Sequence, residues 1–373
     1  MEYRILGKTG LKVSAVGMGT LGFARAGLFN KGEEGIREMA RITNRALDLG
    51  LNFIDTAYAY GRGAAERGVG EVMKTRRSET VLLGRTHVWQ QSLDPKDTQT
   101  CLEESLKRLQ TDTIDVYQLH DVTSAETYDK VLSAGLYEVL KDAKRAGKVR
   151  FIGYSTHGNF DLLRRMIESG EVDVLTVAWN ALNQKRQIGD GEDLRETSAK
   201  VFPLAAAHGI GITIMKPLGG GVLTWQGPAG KRLPPAKLVR YVVQNQYVHT
   251  VTPGVDNIAQ LEELAQAGDP RFALSAEEIK QFEEDARAWG LDVCRQCGYC
   301  LPCSQEIHIP TVMRILMQWH NTKDKNLAAT YRGLQHNASE CIECGECEDR
   351  CPYELPIAQK MREAEELFGK NVQ

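Results

Sequence analysis

The sequence predicts an α/β chain built as a (β/α)8 TIM barrel, with a small, mainly helical, cysteine-rich domain behind it. Three observations point there. The chain has 373 residues, too long for one small core and suited to one large barrel plus an appendage. Eight short runs rich in Val, Ile and Leu alternate with segments whose apolar residues recur every three or four positions, the pattern of buried parallel strands joined by helices. All but one of the nine cysteines fall after residue 290, so the last stretch has a chemistry of its own. The expected division is a barrel over residues 1–288 and a tail over 289–373.

The elements follow in order. "YRILGKTGLKV" reads as a hairpin-like start. The eight runs are "SAVGMGT" at 14–20, "NFIDTA" at 52–57, "TVLLGRT" at 80–86, "DVYQLH" at 115–120, "VRFIGYS" at 149–155, "VLTVAWN" at 174–180, "GITIMKP" at 211–217 and "VHTVTPG" at 248–254. Between them "EEGIREMARITNRALDLG", "DTQTCLEESLKRLQT" and "YEVLKDAKRAGK" carry helical spacing, and Gly50 and Gly147 close two of them as helix C-termini do. A doubly wound open sheet is the competing architecture. It would place G-x-G-x-x-G in its first strand-to-helix turn, and "GMGTLGF" at 17–23 has that spacing. The residues after it, "ARAGLFNKGEEG", read as a loop rather than a helix start, so the match lacks its context.

Composition removes several function classes. Lys+Arg 46 against Asp+Glu 49 leaves a net charge of -3, which advertises no surface for nucleic acid. "MEYRILGKTG" has no targeting character, and no apolar run approaches the ~18 residues that span a bilayer. A cytoplasmic protein with no membrane partner is expected. Cysteines three residues apart make poor disulfides and cytosolic thiols stay reduced, so the clustered ones mean metal. Cys101, alone in "TQTCLEESLKRL", reads as a buried helix residue.

In such a barrel the chemistry belongs at the carboxyl ends of the strands. Asp55, Tyr60, Arg85, His87, His120, Ser155, Asn180 and Lys216 stand there. Any one of them could simply satisfy loop backbone. Acidic, cationic and imidazole groups converging on one rim are what proton transfer beside a carbonyl requires. Trp89 and Trp179 lie just beyond strands and fit either a substrate pocket or core packing. His157 belongs to the loop after the fifth run.

"GLNFIDTAYAYGRGAAERGVGEVM", "DVYQLHDV", "GKVRFIGYSTH", "IMKPLGGGVL" and "TVTPGVDNIAQLEEL" together resemble the successive signatures of the aldo-keto reductases, and the tail resembles the iron-sulfur domain carried by one branch of them. The resemblance implies an NAD(P)(H)-dependent oxidoreductase that interconverts a carbonyl and an alcohol. Tyr60 matches the general acid, Asp55 the aspartate that holds the family's lysine, and His120 the histidine that orients the carbonyl. Arg85 stands where the lysine is usual. A free phenol has a pKa near ~10, and the expectation is that the Arg85 charge makes Tyr60 more acidic.

The same resemblance places the nucleotide, NADP or NAD. Gly19 and Thr20 come near the nicotinamide; Ser155, Thr156 and Thr176 match positions around its carboxamide, and Met215 the position of a stacking ring. Lys216, Pro217, Leu218, Gly219 and Gly221 resemble a loop that cradles the pyrophosphate. Gly254, Asp256, Asn257, Gln260 and Glu263 match the adenosine end. Asp256 puts negative charge there, and no Arg or Lys between 254 and 264 can pair with it. Leu264 replaces a common asparagine.

In the tail, Cys341, Cys344, Cys347 and Cys351 precede Pro352 with the C-x2-C-x2-C-x3-C-P spacing of two-cluster bacterial ferredoxins. Cys294, Cys297, Cys300 and Cys303 form a first block whose last step is shorter. Two 4Fe-4S clusters are expected, with zinc as the alternative. Under the crossover rule, Cys294, Cys297 and Cys300 share a cluster with Cys351, and Cys303 joins the second block's other three. "TVMRILMQWHNTKDKNLAATYRGL" reads as helical, and "PIAQKMREAEELF" as an amphipathic helix able to pack back on the barrel. Hydride moves two electrons and each cluster one. The clusters therefore serve either electron transfer, with a redox partner protein or a further cofactor, or structural support. The competing reading is a nucleotide-binding redox sensor or an electron-transfer subunit with little carbonyl reductase activity.

Overall fold

The computed structural model describes residues 1–88, 92–157, 160–181, 197–225, 232–287, 293–296, 298–351 and 353–369. Trp89 and Cys297 lie outside them. The chain divides into two compact units: one comprises Met1–Asn180, Arg195–Pro217 and Pro235–Ser275, the other Ala181–Leu194, Leu218–Pro234 and Ala276–Gln373. The helix Ala276–Arg287, which the sequence assigns to the barrel, groups with the second unit.

In the first unit β1 (Tyr3–Ile5) and β2 (Lys12–Ser14) form an antiparallel hairpin. Then come β3 (Met18–Gly19), β4 (Phe53–Asp55), β5 (Val81–Val88), β6 (Ile114–His120), β7 (Val149–Thr156), β8 (Val174–Ala178), β9 (Gly211–Met215) and β10 (Thr250–Thr252). These eight pair in chain order and in parallel. Parallel bridges Val16 to Val251 and Gly19 to Gly254 join the first strand to the last. Every predicted run supplies its strand, and the sheet closes as a barrel.

Close approach, more than chain flexibility, explains the glycine at the seam. A Cβ on Gly19 would stand 2.8 Å from the Thr252 carbonyl oxygen, inside contact distance, so the closing strands require a residue without a side chain there. The hairpin plugs the amino end of the barrel. Leu6, Leu11 and Val13 pack on Phe53, Leu83, Val116 and Val174, and the Lys8 amide donates to the Gly209 carbonyl at 2.7 Å. This apolar floor leaves the opposite end free for chemistry.

Above the floor the interior turns polar. Gln118, Thr176 and Thr213 are buried side by side: the Thr176 hydroxyl lies 2.8 Å from Gln118 Oε1 and 2.7 Å from Thr213 Oγ1. Trp179 belongs to the core, stacked on Tyr241 and edge-on to Phe202.

The second unit has its own core. Helices Ile309–Thr322, Asn326–Arg332 and Ile357–Phe368 enclose Val312, Met313, Leu316, Tyr331, Met361 and Phe368 together with Cys294 and Cys300. The predicted long helix over 311–334 is broken, because Lys323 adopts a left-handed C-terminal conformation and Asp324 accepts from the Asn326 amide to start the next. The last helix spends its apolar face, Ile357, Met361, Ala364 and Phe368, inside this core.

Candidate active site

The barrel sets Asp55, Arg85 and His120 at or near the carboxyl ends of neighbouring strands β4, β5 and β6. Tyr60 follows β4 in a tight turn. Its geometry is forced by three consecutive left-handed residues, Gly61, Arg62 and Gly63, of which Arg62 bears a side chain in a conformation that costs energy. The loop is tied to β5: the Tyr58 amide donates to the Arg85 carbonyl at 3.0 Å, and the Tyr60 amide to the Ala57 carbonyl at 3.1 Å.

Arg85 is 1% exposed and Asp55 4%, so each needs the other. Arg85 Nη2 donates to Asp55 Oδ2 at 2.8 Å while Nη1 donates to Oδ1, a bidentate fit that an ammonium cannot make. Nη1 also reaches the Thr56 carbonyl at 3.3 Å. Thr252 donates to Asp55 Oδ2 at 2.8 Å, and Thr20 donates to the Asp55 carbonyl at 3.1 Å.

Tyr60 is partly exposed, with its hydroxyl within the field of the Arg85 guanidinium. Its pKa is pushed up to about 12. Burial is the largest cause; the Arg85 charge lowers it, and Asp55 and Asp121 raise it again. Arg85 thus acts in the expected direction, but burial outweighs it. The guanidinium arrives already neutralised by its carboxylate, so desolvation prevails.

His120 stands edge-on to Tyr60 with ring centroids 5.8 Å apart. Its Nδ1 has no hydrogen-bond partner among the described residues. Burial, then the Arg85 charge, lowers its pKa to about 3, so the ring is neutral at physiological pH. A neutral imidazole with an open nitrogen can bind a carbonyl oxygen without carrying charge. His157 is buried nearby, its pKa also held well below the usual histidine value by burial and then Lys216.

Several expected groups have fixed places. The Ser155 hydroxyl accepts from the Asp121 amide at 3.2 Å; Thr156 is buried beside it on β7. Thr176 lies lower in the wall, its hydroxyl committed as described. Met215 and Lys216 are partly exposed, Lys216 with left-handed backbone, and Asn180 donates to the Lys216 carbonyl at 3.0 Å. Pro217 ends that first-unit segment, whereas Leu218, Gly219 and Gly221 belong to the second unit, in a turn with positive φ at all three glycines 219–221. His87 faces away from the rim, with Nδ1 3.1 Å from the Cys101 sulfur and Nε2 3.0 Å from the Ser92 carbonyl.

In the segment expected to meet adenosine, Asn257 caps the helix Ile258–Ala265 by accepting from the Gln260 amide. Gln260 accepts from the Asp256 amide at 3.0 Å; Glu263 is exposed. Asp256 is paired after all. Arg25, from the loop after β3, reaches it at 2.8 Å and also donates to the Gly254 carbonyl at 3.2 Å. Their separation of 231 residues hid the pair from any local reading.

In the tail, Cys303, Cys341, Cys344 and Cys347 line one apolar cavity with Ile307, Ile309 and Met361. Cys294, Cys300 and Cys351 line another with Met313 and Ile357. Both groupings follow the crossover rule. Thiols spread around a cavity suit a cubane with one iron per sulfur. Burial, and then Glu348, Cys341 and Cys344, raises the Cys347 thiol to about 11, so iron binding must displace its proton.

Comparison with known proteins decides the family. The model of the aldo/keto reductase family matches residues 15–237. The chain belongs to that family. A 4Fe-4S dicluster domain matches residues 293–356, so this aldo/keto reductase is an oxidoreductase that uses NAD(P)H and carries two 4Fe-4S clusters. It is 31% identical over 241 residues, 60% of this chain and 68% of the other, to an uncharacterized oxidoreductase, YrpG, of Bacillus subtilis. It is 27% identical over 294 residues, 70% of this chain and 86% of the other, to an L-galactose dehydrogenase of Arabidopsis thaliana. The holo form of an aldo-keto reductase from Bacillus halodurans superposes with TM-score 0.61 at 24% identity, over 77% of this chain and 97% of that one, which speaks for the fold. No helix among the described residues is long and apolar enough to cross a membrane.

Proposed function

We propose that this reductase reduces a small aldehyde or ketone to an alcohol, with Tyr60 as proton donor and His120 as the group that orients the carbonyl. The bound nicotinamide supplies hydride to the carbonyl carbon. Tyr60 gives its phenolic proton to the oxygen, so hydride and proton together convert C=O to CH–OH. The Arg85 charge favours the phenolate that Tyr60 leaves behind, and Asp55 holds Arg85 in place. The observation that carries this reading is the juxtaposition of the Tyr60 hydroxyl, the Arg85 guanidinium and the open His120 Nδ1 at one rim.

Ser155, Thr156 and Met215 are assigned to the nicotinamide, Lys216 to Gly221 to the pyrophosphate, and Gly254 to Glu263 to the adenosine. The Asp256 carboxylate, with Arg25 already paired to it, favours a plain ribose over a 2'-phosphate through its negative charge. The cluster held by Cys303, Cys341, Cys344 and Cys347 is the one suited to a redox partner protein: Cys344 is exposed and its neighbour Ile342 is 62% exposed. The other cluster, with Cys294 and Cys300 inside the tail core, supports the fold. The cytoplasm is the expected compartment, and neither membrane nor nucleic acid is part of this function.

A carbonyl panel assayed by nucleotide oxidation tests the reading. Wild-type turnover and a loss of at least a hundredfold in Tyr60→Phe are expected; equal turnover by both contradicts it.

A further inference from the structure

Asp55 receives hydrogen bonds from two directions, and only one belongs to Arg85. Across the barrel interior, Thr252 on β10 donates its hydroxyl to Asp55 Oδ2 at 2.8 Å. Thr252 is buried. Its other acceptor within reach is the Ile214 carbonyl at 3.4 Å. A hydroxyl has one proton, and the shorter bond to an anion takes it. Nothing in "VHTVTPG" marks Thr252 for a role, since a threonine on a strand is ordinary.

We infer that Thr252 is a positioning residue of the reductase site, fixing the Asp55 carboxylate so that the Arg85 guanidinium is presented to the Tyr60 hydroxyl. The inference rests on the reading of Tyr60 as proton donor. Arg85 favours phenolate at Tyr60 and Asp55 opposes it, so the charge left on the carboxylate sets how much of the guanidinium field reaches the phenol. A hydroxyl on Oδ2 draws that charge toward β10. It also stops the carboxylate turning about its own axis, while Thr20 fixes the Asp55 backbone from β3's side. Valine has the shape of threonine without the proton, so Thr252→Val removes the bond and little else.

The test compares pH profiles of holoprotein with methylglyoxal and 4-nitrobenzaldehyde as probes, NADH and NADPH as reductants, and the corresponding alcohols in reverse. Thr252→Val is expected to lower kcat about tenfold with nucleotide KM unchanged, and to move the rise of alcohol oxidation about one pH unit upward. Thr252→Ser restores both. Where the valine variant does not accumulate, Thr252→Ala is read in its place. A valine profile that superimposes on wild type overturns the inference while an inactive Tyr60→Phe still upholds the reading beneath it. Turnover by Tyr60→Phe at the wild-type rate, or a wild type that reduces neither probe, overturns both.

Discussion

Arg85 and Asp55 form a buried ion pair, and each half is costly alone. Arg85→Met leaves the carboxylate with Thr252 as its side-chain partner, and a loss of about 3–5 kcal/mol of stability is expected in denaturant unfolding; adding Asp55→Asn should recover most of it. The raised phenol pKa has a direction in kinetics. Tyr60 stays protonated across the neutral range, so carbonyl reduction at pH 7 needs no prior ionisation, whereas alcohol oxidation needs phenolate and should climb with pH toward about 12. Buried His120 and His157 have folded-state pKa values below the unfolded value near 6.5. Below that pH the unfolded chain takes up protons that the folded one refuses, so their contribution is intact above 6.5 and is lost as pH falls, for His120 toward about 3. Melting curves across that window should decline with acid, and replacing His157 with Gln should flatten the decline. At the ribose end, Asp256→Ala frees Arg25 and is expected to shift the NADP+ to NAD+ affinity ratio about tenfold toward NADP+, as read by fluorescence titration. An unchanged ratio would place the 2' position elsewhere.

Elements were legible where apolar period and punctuation agree. Each of the eight runs became a strand because both of its faces are covered, which a continuous Val, Ile and Leu run records. Boundaries moved where hydrogen-bond partners decide: "SAVGMGT" yields a strand of two residues because its pairing passes to single bridges at the seam. The break at Lys323 was invisible because no Gly or Pro marks it. Asp55, Tyr60 and His120 were readable from a family pattern, and their convergence follows from strand order. Thr252 and Arg25 were not, since each acts through a partner about two hundred residues away. The same logic gives an element-scale prediction. A Cβ at Gly153 would stand 1.8 Å from the Val174 carbonyl, so Gly153→Ala must push β7 from β8, and markedly lower soluble yield and melting temperature are expected.

At the scale of the whole chain, two kinds of electron carrier share one polypeptide. On the proposed reading the barrel site has a proton donor, an open imidazole and a buried charge pair, the equipment hydride chemistry needs. The tail's core contains its own ligand cysteines, so removing iron with a chelator should cost tail helicity as well as visible absorbance. The measurement closest to the central claim is isotopic. Nucleotide carrying deuterium at both C4 positions is mixed with excess carbonyl probe, and the product alcohol is analysed by mass spectrometry. One deuterium on the carbinol carbon, in an alcohol whose yield falls at least a hundredfold in Tyr60→Phe, is the predicted result. An alcohol formed without that deuterium, accompanied by bleaching of the clusters, would contradict it.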